Sequence, residues 1–213
     1  MSDPPGISVI GYGMWTAAGH DGPSTVAAMR AGVSGAERAN LWDYTVGDNL
    51  MAFRVSAHQW WEGPTFLPDL ALPVIEECRA QVPETIGIAP EDIPILLALA
   101  PEGRPDRPDN LEKTVLEGLA AKLGGHLPPG SRAIGQGRVS LPYLIQIASG
   151  LGGPALIVGV ESFLRQRIVD HYIEKARLLC GSNSSGFIVG EAAAGLLVAP
   201  SGQGRGPEFR ITG

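Results

Sequence analysis

The sequence predicts an α/β fold with a mostly parallel mixed sheet and covering helices. Three observations predict it. The runs Ile93 to Ala100 and Ala155 to Val160 are apolar, as strands are when helical crossovers of a parallel sheet cover both their faces. Between them, Leu111, Val115, Leu119 and Leu123 recur every four residues and give one helix a single apolar face. Finally, Asn183 to Ala199 passes from small polar residues through Gly186-Phe187-Ile188-Val189-Gly190-Glu191 into the uncharged run Ala192 to Val198. That order suits a tight turn feeding a central strand.

In chain order, Ile7 to Gly11 reads as a first strand entering a glycine turn at Gly11-Tyr12-Gly13. A dinucleotide loop would need a third glycine where Thr16 stands, so that fingerprint fails. Pro23 and Ser24 start a helix that Gly32 stops. Leu41 to Trp61 is less regular, with a strand-like piece at Met51 to Val55 and an aromatic pair, Trp60-Trp61, read as a packing anchor. Pro68 to Arg79 has helical spacing at Leu72, Ile75 and Cys78, which makes Cys78 a small buried apolar residue. Asp109 or Asn110 caps the helix Leu111 to Leu123, and Gly124-Gly125 ends it. A short strand at Ala133 to Gly135, a helix from Ser140 to Ser149 and a helix from Arg165 to Leu178 complete the pattern.

At 213 residues the chain is expected to form one domain, 1–213. Its net charge of −6 leaves no excess of Lys and Arg for nucleic acid or anionic lipid. Cys78 and Cys180 form no disulfide framework, and His20, His58, His126 and His171 pair with neither at ligand spacing. No metal or other cofactor is expected. Met1 to Gly6 lacks the pattern of a signal peptide, which points to the cytoplasm. Val139 to Val160 carries no charge, but Pro142, Gly150, Gly152, Gly153 and Pro154 divide it into a helix and a strand, so no membrane span is expected.

The segment GFIVGEAAAGLLV, from Gly186 to Val198, resembles the one usually written DGFVxGEGA in β-ketoacyl synthases, condensing enzymes of the thiolase fold. The opening strand, helix and AGVSG loop (Ala31 to Gly35) are similar to the start of the same enzymes, and Ile157 to Ser162 is similar to their strand ending in GxE. Trp60 to Pro64, the strand ending APEGRP and the segment NSSGFIVGEAAA also resemble thiolase-like proteins encoded beside type VI secretion components.

The resemblance implies a thiolase-like half, with the C-terminal half of the fold absent from the chain. It also implies a nucleophilic cysteine at a strand-to-helix turn, where a helix N-terminus lowers the thiol pKa. Counting back from Glu161 puts that place at Ala133 or, with a short deletion, near Gln136, and neither is a nucleophile. None of the four histidines matches the family's paired catalytic histidines, so no catalytic residue is carried over. Gly186, Phe187, Gly190 and Glu191 are pocket residues by resemblance. The implied function is a noncatalytic scaffold or adaptor accessory to type VI effector delivery, or alternatively an acyltransferase (condensing-enzyme) or chain-length-factor-like subunit handling acyl thioesters. One half alone would expose an apolar face, so the expected partners are a second copy, a second thiolase-like half, a secretion effector or an acyl carrier protein.

Overall fold

A computed structural model describes residues 6–55, 66–204 and 208–211. His58 and Trp60 to Pro64 lie outside them. The strands are β1 (Ile7–Trp15), β2 (Ala36–Asp43), β3 (Asp48–Phe53), β4 (Ile95–Ala98), β5 (Arg132–Ile134), β6 (Ala155–Ser162), β7 (Val189–Pro200) and β8 (Phe209–Ile211). The helices are α1 (Gly22–Arg30), α2 (Leu67–Arg79), α3 (Leu111–Lys122), α4 (Ser140–Leu151) and α5 (Gln166–Glu174).

The sheet is mixed and helices cover it, as the apolar runs predict. β5, β4 and β6 pair in parallel, the first residues of β7 pair in parallel with β3, and the rest of β7 runs antiparallel between β6 and β1. The segment expected to be a central strand is therefore central. Period-two alternation divides its neighbours between two cores. Ile95, Leu97, Leu156, Val158, Ala193 and Leu197 pack with α2 and α3. Leu96, Ala155, Ile157 and Val198 face Leu144 and Ala148 of α4. A third cluster joins α5 to the β2–β3 hairpin through Leu41, Leu50, Val169 and Ile173.

The local signals hold at most ends. Asp21 caps α1 reciprocally with Ser24. Leu111, Val115 and Leu119 are buried on α3, and Gly124 and Gly125 leave it at φ of 95° and 99°. Asn110 holds the N-cap position but makes no side-chain capping bond. Cys78 is fully buried in α2. The uncharged stretch divides at Gly152 (φ 67°) into α4 and β6, and among the described residues no helix is long and apolar enough to cross a membrane.

Three expectations need correction. The first strand does not turn at Gly11-Tyr12-Gly13, because β1 continues to Trp15. Gly13 instead lies opposite Gly195 of β7, and a Cβ on either would come within 2.8 Å of Val74 on α2. These glycines serve a close helix–sheet approach. Leu41 to Phe53 is more regular than its sequence suggests, since it falls within the β2–β3 hairpin. The helix expected to reach Leu178 ends at Glu174, with Ala176 at φ 49°.

Candidate functional site

A cavity of about 770 Å³ opens beyond the carboxyl ends of β4 and β6, where open α/β sheets present their ligand crevices. Sequence shapes it directly. On the face covered by α4, residues become small toward the strand ends, with Ala98, Gly159, Ala192 and Ala194, and α4 begins only at Ser140. Leu99 and Pro101, Gln136 to Val139 with Leu141, and Phe163 with Tyr172 form the remaining walls.

Three charged residues line this largely apolar space: Arg104, Arg138 and Glu161. Arg104 comes from the loop after β4, with a side chain only 7% exposed. Its Nη1 donates to Ser162 O at 2.9 Å and lies 3.2 Å from Glu161 Oε1, while its guanidinium carbon stands 5.4 Å from the centroid of the Phe163 ring. Arg104 Nε is buried without a hydrogen-bond acceptor among the described residues. Burial draws the Arg104 pKa down and pushes that of Glu161 up, and their mutual attraction opposes both changes.

Behind Glu161 a hydrogen-bonded chain crosses the β6–β7 ladder. Ser162 N donates to Glu161 Oε1 at 2.9 Å, and Ser162 Oγ donates to Glu191 Oε2 at 3.0 Å. Glu191 Oε1 accepts Val55 N at 3.1 Å, tying the end of the hairpin to the central strand. Glu191 is 6% exposed, and burial raises its pKa against the lowering effect of these bonds.

The strand-to-helix corner lies between β5 and α4. A 3₁₀ turn at Gly137–Val139, with Gly137 at φ 57°, enters α4. Ser140 Oγ fixes the corner by donating to Ile134 O and accepting from Gln136 N, both at 3.2 Å. Gln136 lines the cavity, whereas Ala133 packs on the α2 and α3 side of the sheet. Cys180 sits at a turn with Asn183, its Sγ 3.3 Å from Ser182 Oγ, and neither cysteine is among the lining residues.

The structure brings the glycine-rich segment up behind one wall. Phe187 stacks edge-on against Tyr172 and Phe163, with centroids at 5.2 and 6.2 Å. At Gly186 a Cβ would collide with the backbone of Leu178, and at Gly190 it would lie 2.9 Å from Phe53 Cβ. Gly190 O accepts Phe163 N at 3.0 Å, which prolongs β6 pairing into the cavity wall. Sequence reasoning missed Arg104, Arg138 and Tyr172. A partial signal was present in PEGRPDRPDN, where Arg104 and Arg107 follow a buried strand and both side chains are at most 7% exposed. Among the described residues, no group of three or more His, Cys, Asp and Glu is placed to hold a metal ion.

No protein-family profile matches the sequence, and no curated protein matches it. Solved structures do. A type II PKS acyl-carrier protein in complex with its ketosynthase bound to the hexaketide aligns at TM-score 0.66 and 13% identity, over 94% of this chain and 59% of that one. The ishigamide ketosynthase/chain length factor aligns at 0.62 and 17%, over 93% and 59%. The oxazolomycin ketosynthase domain OzmH KS7 of Streptomyces albus JA3453 aligns at 0.67 and 10%, over 92% and 42%. The fold is therefore that of the thiolase-like ketosynthases, and the chain spans less than two thirds of the length of these structures.

Proposed function

We propose that this chain is a noncatalytic thiolase-like subunit of the cytoplasm that pairs with a second thiolase-like unit and shapes an acyl-binding cavity, as a chain length factor does for its ketosynthase. The carrying observation is the corner at Ile134 to Ser140. It has the strand-to-helix geometry and opens on an apolar cavity, and it presents Gln136, Gly137 and Arg138 but no cysteine near the place at which the family resemblance expects the nucleophile. Neither cysteine lines the cavity: Cys78 is fully buried in α2, and Cys180 sits at the turn with Asn183. Gly186, Phe187, Gly190 and Glu191 then support the wall that Phe163 and Tyr172 present.

The surface of α4 supports the need for a partner. α4 has no charged residue over its 12 residues, and Leu141, Tyr143 and Leu151 are 41%, 55% and 38% exposed. Co-expression with a cysteine-bearing ketosynthase from the same genome tests the reading. A stoichiometric complex, with an acyl-thioester or cerulenin adduct on the partner only, is expected. An adduct on Cys78 or Cys180 of this chain overturns it.

An adaptor role in type VI effector delivery is a second reading. The segment favouring it, APEGRP, builds an ordered cavity wall through Pro101 and Arg104, so a ligand or partner tail entering there would touch the motif that carries the resemblance. Loss of effector secretion on gene deletion supports this reading, and unchanged secretion removes it.

A further inference from the structure

The apolar cavity bears an unbalanced positive charge. Its described lining contains two guanidinium groups, Arg104 and Arg138, but one carboxylate, Glu161. Arg138 makes no ion pair among the described residues and is exposed. Among the described residues Arg104 is anchored through Nη1, and its Nε donor is buried without an acceptor. The amino end of α4 adds to the same sign, because Val139 at its N-cap supplies no side-chain acceptor and Val139 and Leu141 both border the cavity. Apart from Gln136 and the glycines Gly137 and Gly159, the remaining wall is aliphatic or aromatic.

We infer that the cavity recognises an amphiphile bearing a free carboxylate, with its apolar chain along Ala98, Gly159, Ala194 and Phe163 and its head at Arg104 and Arg138. This rests on the acyl-binding reading above and specifies the ligand as an unesterified acid. A carboxylate matches the planar fork of a guanidinium and gains charge-assisted hydrogen bonds that a neutral ester or alcohol does not. Glu161 holds Arg104 in place from one side, and the incoming carboxylate adds the second counter-charge that the lining lacks. The volume is within the ordinary range of about 300–1,000 Å³ for small-molecule sites.

The test is calorimetric titration of the full chain with decanoate, decan-1-ol and decylammonium. Decanoate is expected to bind at least about tenfold more tightly than decan-1-ol, the value of one charge-assisted hydrogen bond, and decylammonium more weakly than either. Arg104→Gln should bring decanoate within about twofold of decan-1-ol, read as the ratio of the two affinities within the variant. Because this change also strands Glu161, the exposed Arg138→Gln variant, checked for a native melting profile, provides an independent arm with about a threefold loss of preference. Equal binding of acid and alcohol to the unmodified chain overturns the inference, as does binding of neither. Both results leave a complex with a ketosynthase intact, whereas failure of that complex with decanoate still bound removes the partner-subunit reading alone.

Discussion

Ser162 donates its hydroxyl to Glu191 across the β6–β7 ladder, at 3.0 Å from Oε2, while the other carboxylate oxygen accepts the Val55 N–H. One side chain thus joins the cavity-bearing strand, the central strand and the end of the hairpin. Glu191→Ala strands both donors and is expected to cost about 2–4 kcal/mol, whereas Glu191→Gln, which keeps one acceptor, should cost about 1 kcal/mol. Urea unfolding midpoints check the order.

The same residue gives a pH signature. Burial raises the Glu191 pKa above its unfolded value, so the folded state holds the proton more tightly. Its stabilising contribution is full below the ordinary carboxylate range and is lost as pH rises through the folded pKa. The Glu191→Gln variant, which never ionises, should therefore gain stability relative to the unmodified chain as pH rises from about 4 to about 7. A constant difference across that range counts against it.

Gly135 adjoins the ion pair of Arg107 with Glu112. An added Cβ would lie 2.7 Å from Arg107 Nη2 and also meet Glu112. Gly135→Ala should cost about 1–3 kcal/mol through overpacking and reduce ligand binding by shifting the corner at Gln136. By contrast, Gly150 in α4 faces open space, and Gly150→Ala should be neutral or gain up to about 1 kcal/mol. Paired thermal melts separate the two.

The cysteines should differ in reactivity. Cys78 is fully buried, and burial pushes its thiol up to about 12, while Cys180 is partly exposed. Iodoacetamide on the folded chain should give one adduct, at Cys180, and a second only after unfolding. Native labelling of Cys78 would show that α2 opens from the sheet.

Replacing exposed apolar residues of α4 tests its role in association. Leu141→Asp with Tyr143→Asp alters side chains that are 41% and 55% exposed, so the chain's own stability should change by less than about 1 kcal/mol. Complex formation with a thiolase-like partner should fall at least tenfold, roughly the loss expected when a buried interface contact is replaced by an unpaired charge. Analytical ultracentrifugation of the mixture reads the change.

By itself, the sequence determined the strands and helices with strong local periodicity. β4, β6 and the centre of β7 are legible because apolar residues are continuous along them, and α3 because Leu111, Val115 and Leu119 share a face. The glycine-rich segment ending in Glu191 likewise marked the scaffold before any contact was known. What only the tertiary structure decided depends on residues far apart in the chain. Gly13 looked like a turn because its partner Gly195 and the helix above it come from distant segments. Arg104 looked like part of a polar loop because its acceptor, Ser162, lies 58 positions away. The sheet brings Arg104, Glu161 and Ser162 into one hydrogen-bonded neighbourhood, and that proximity, rather than any local pattern, places charged groups at the cavity.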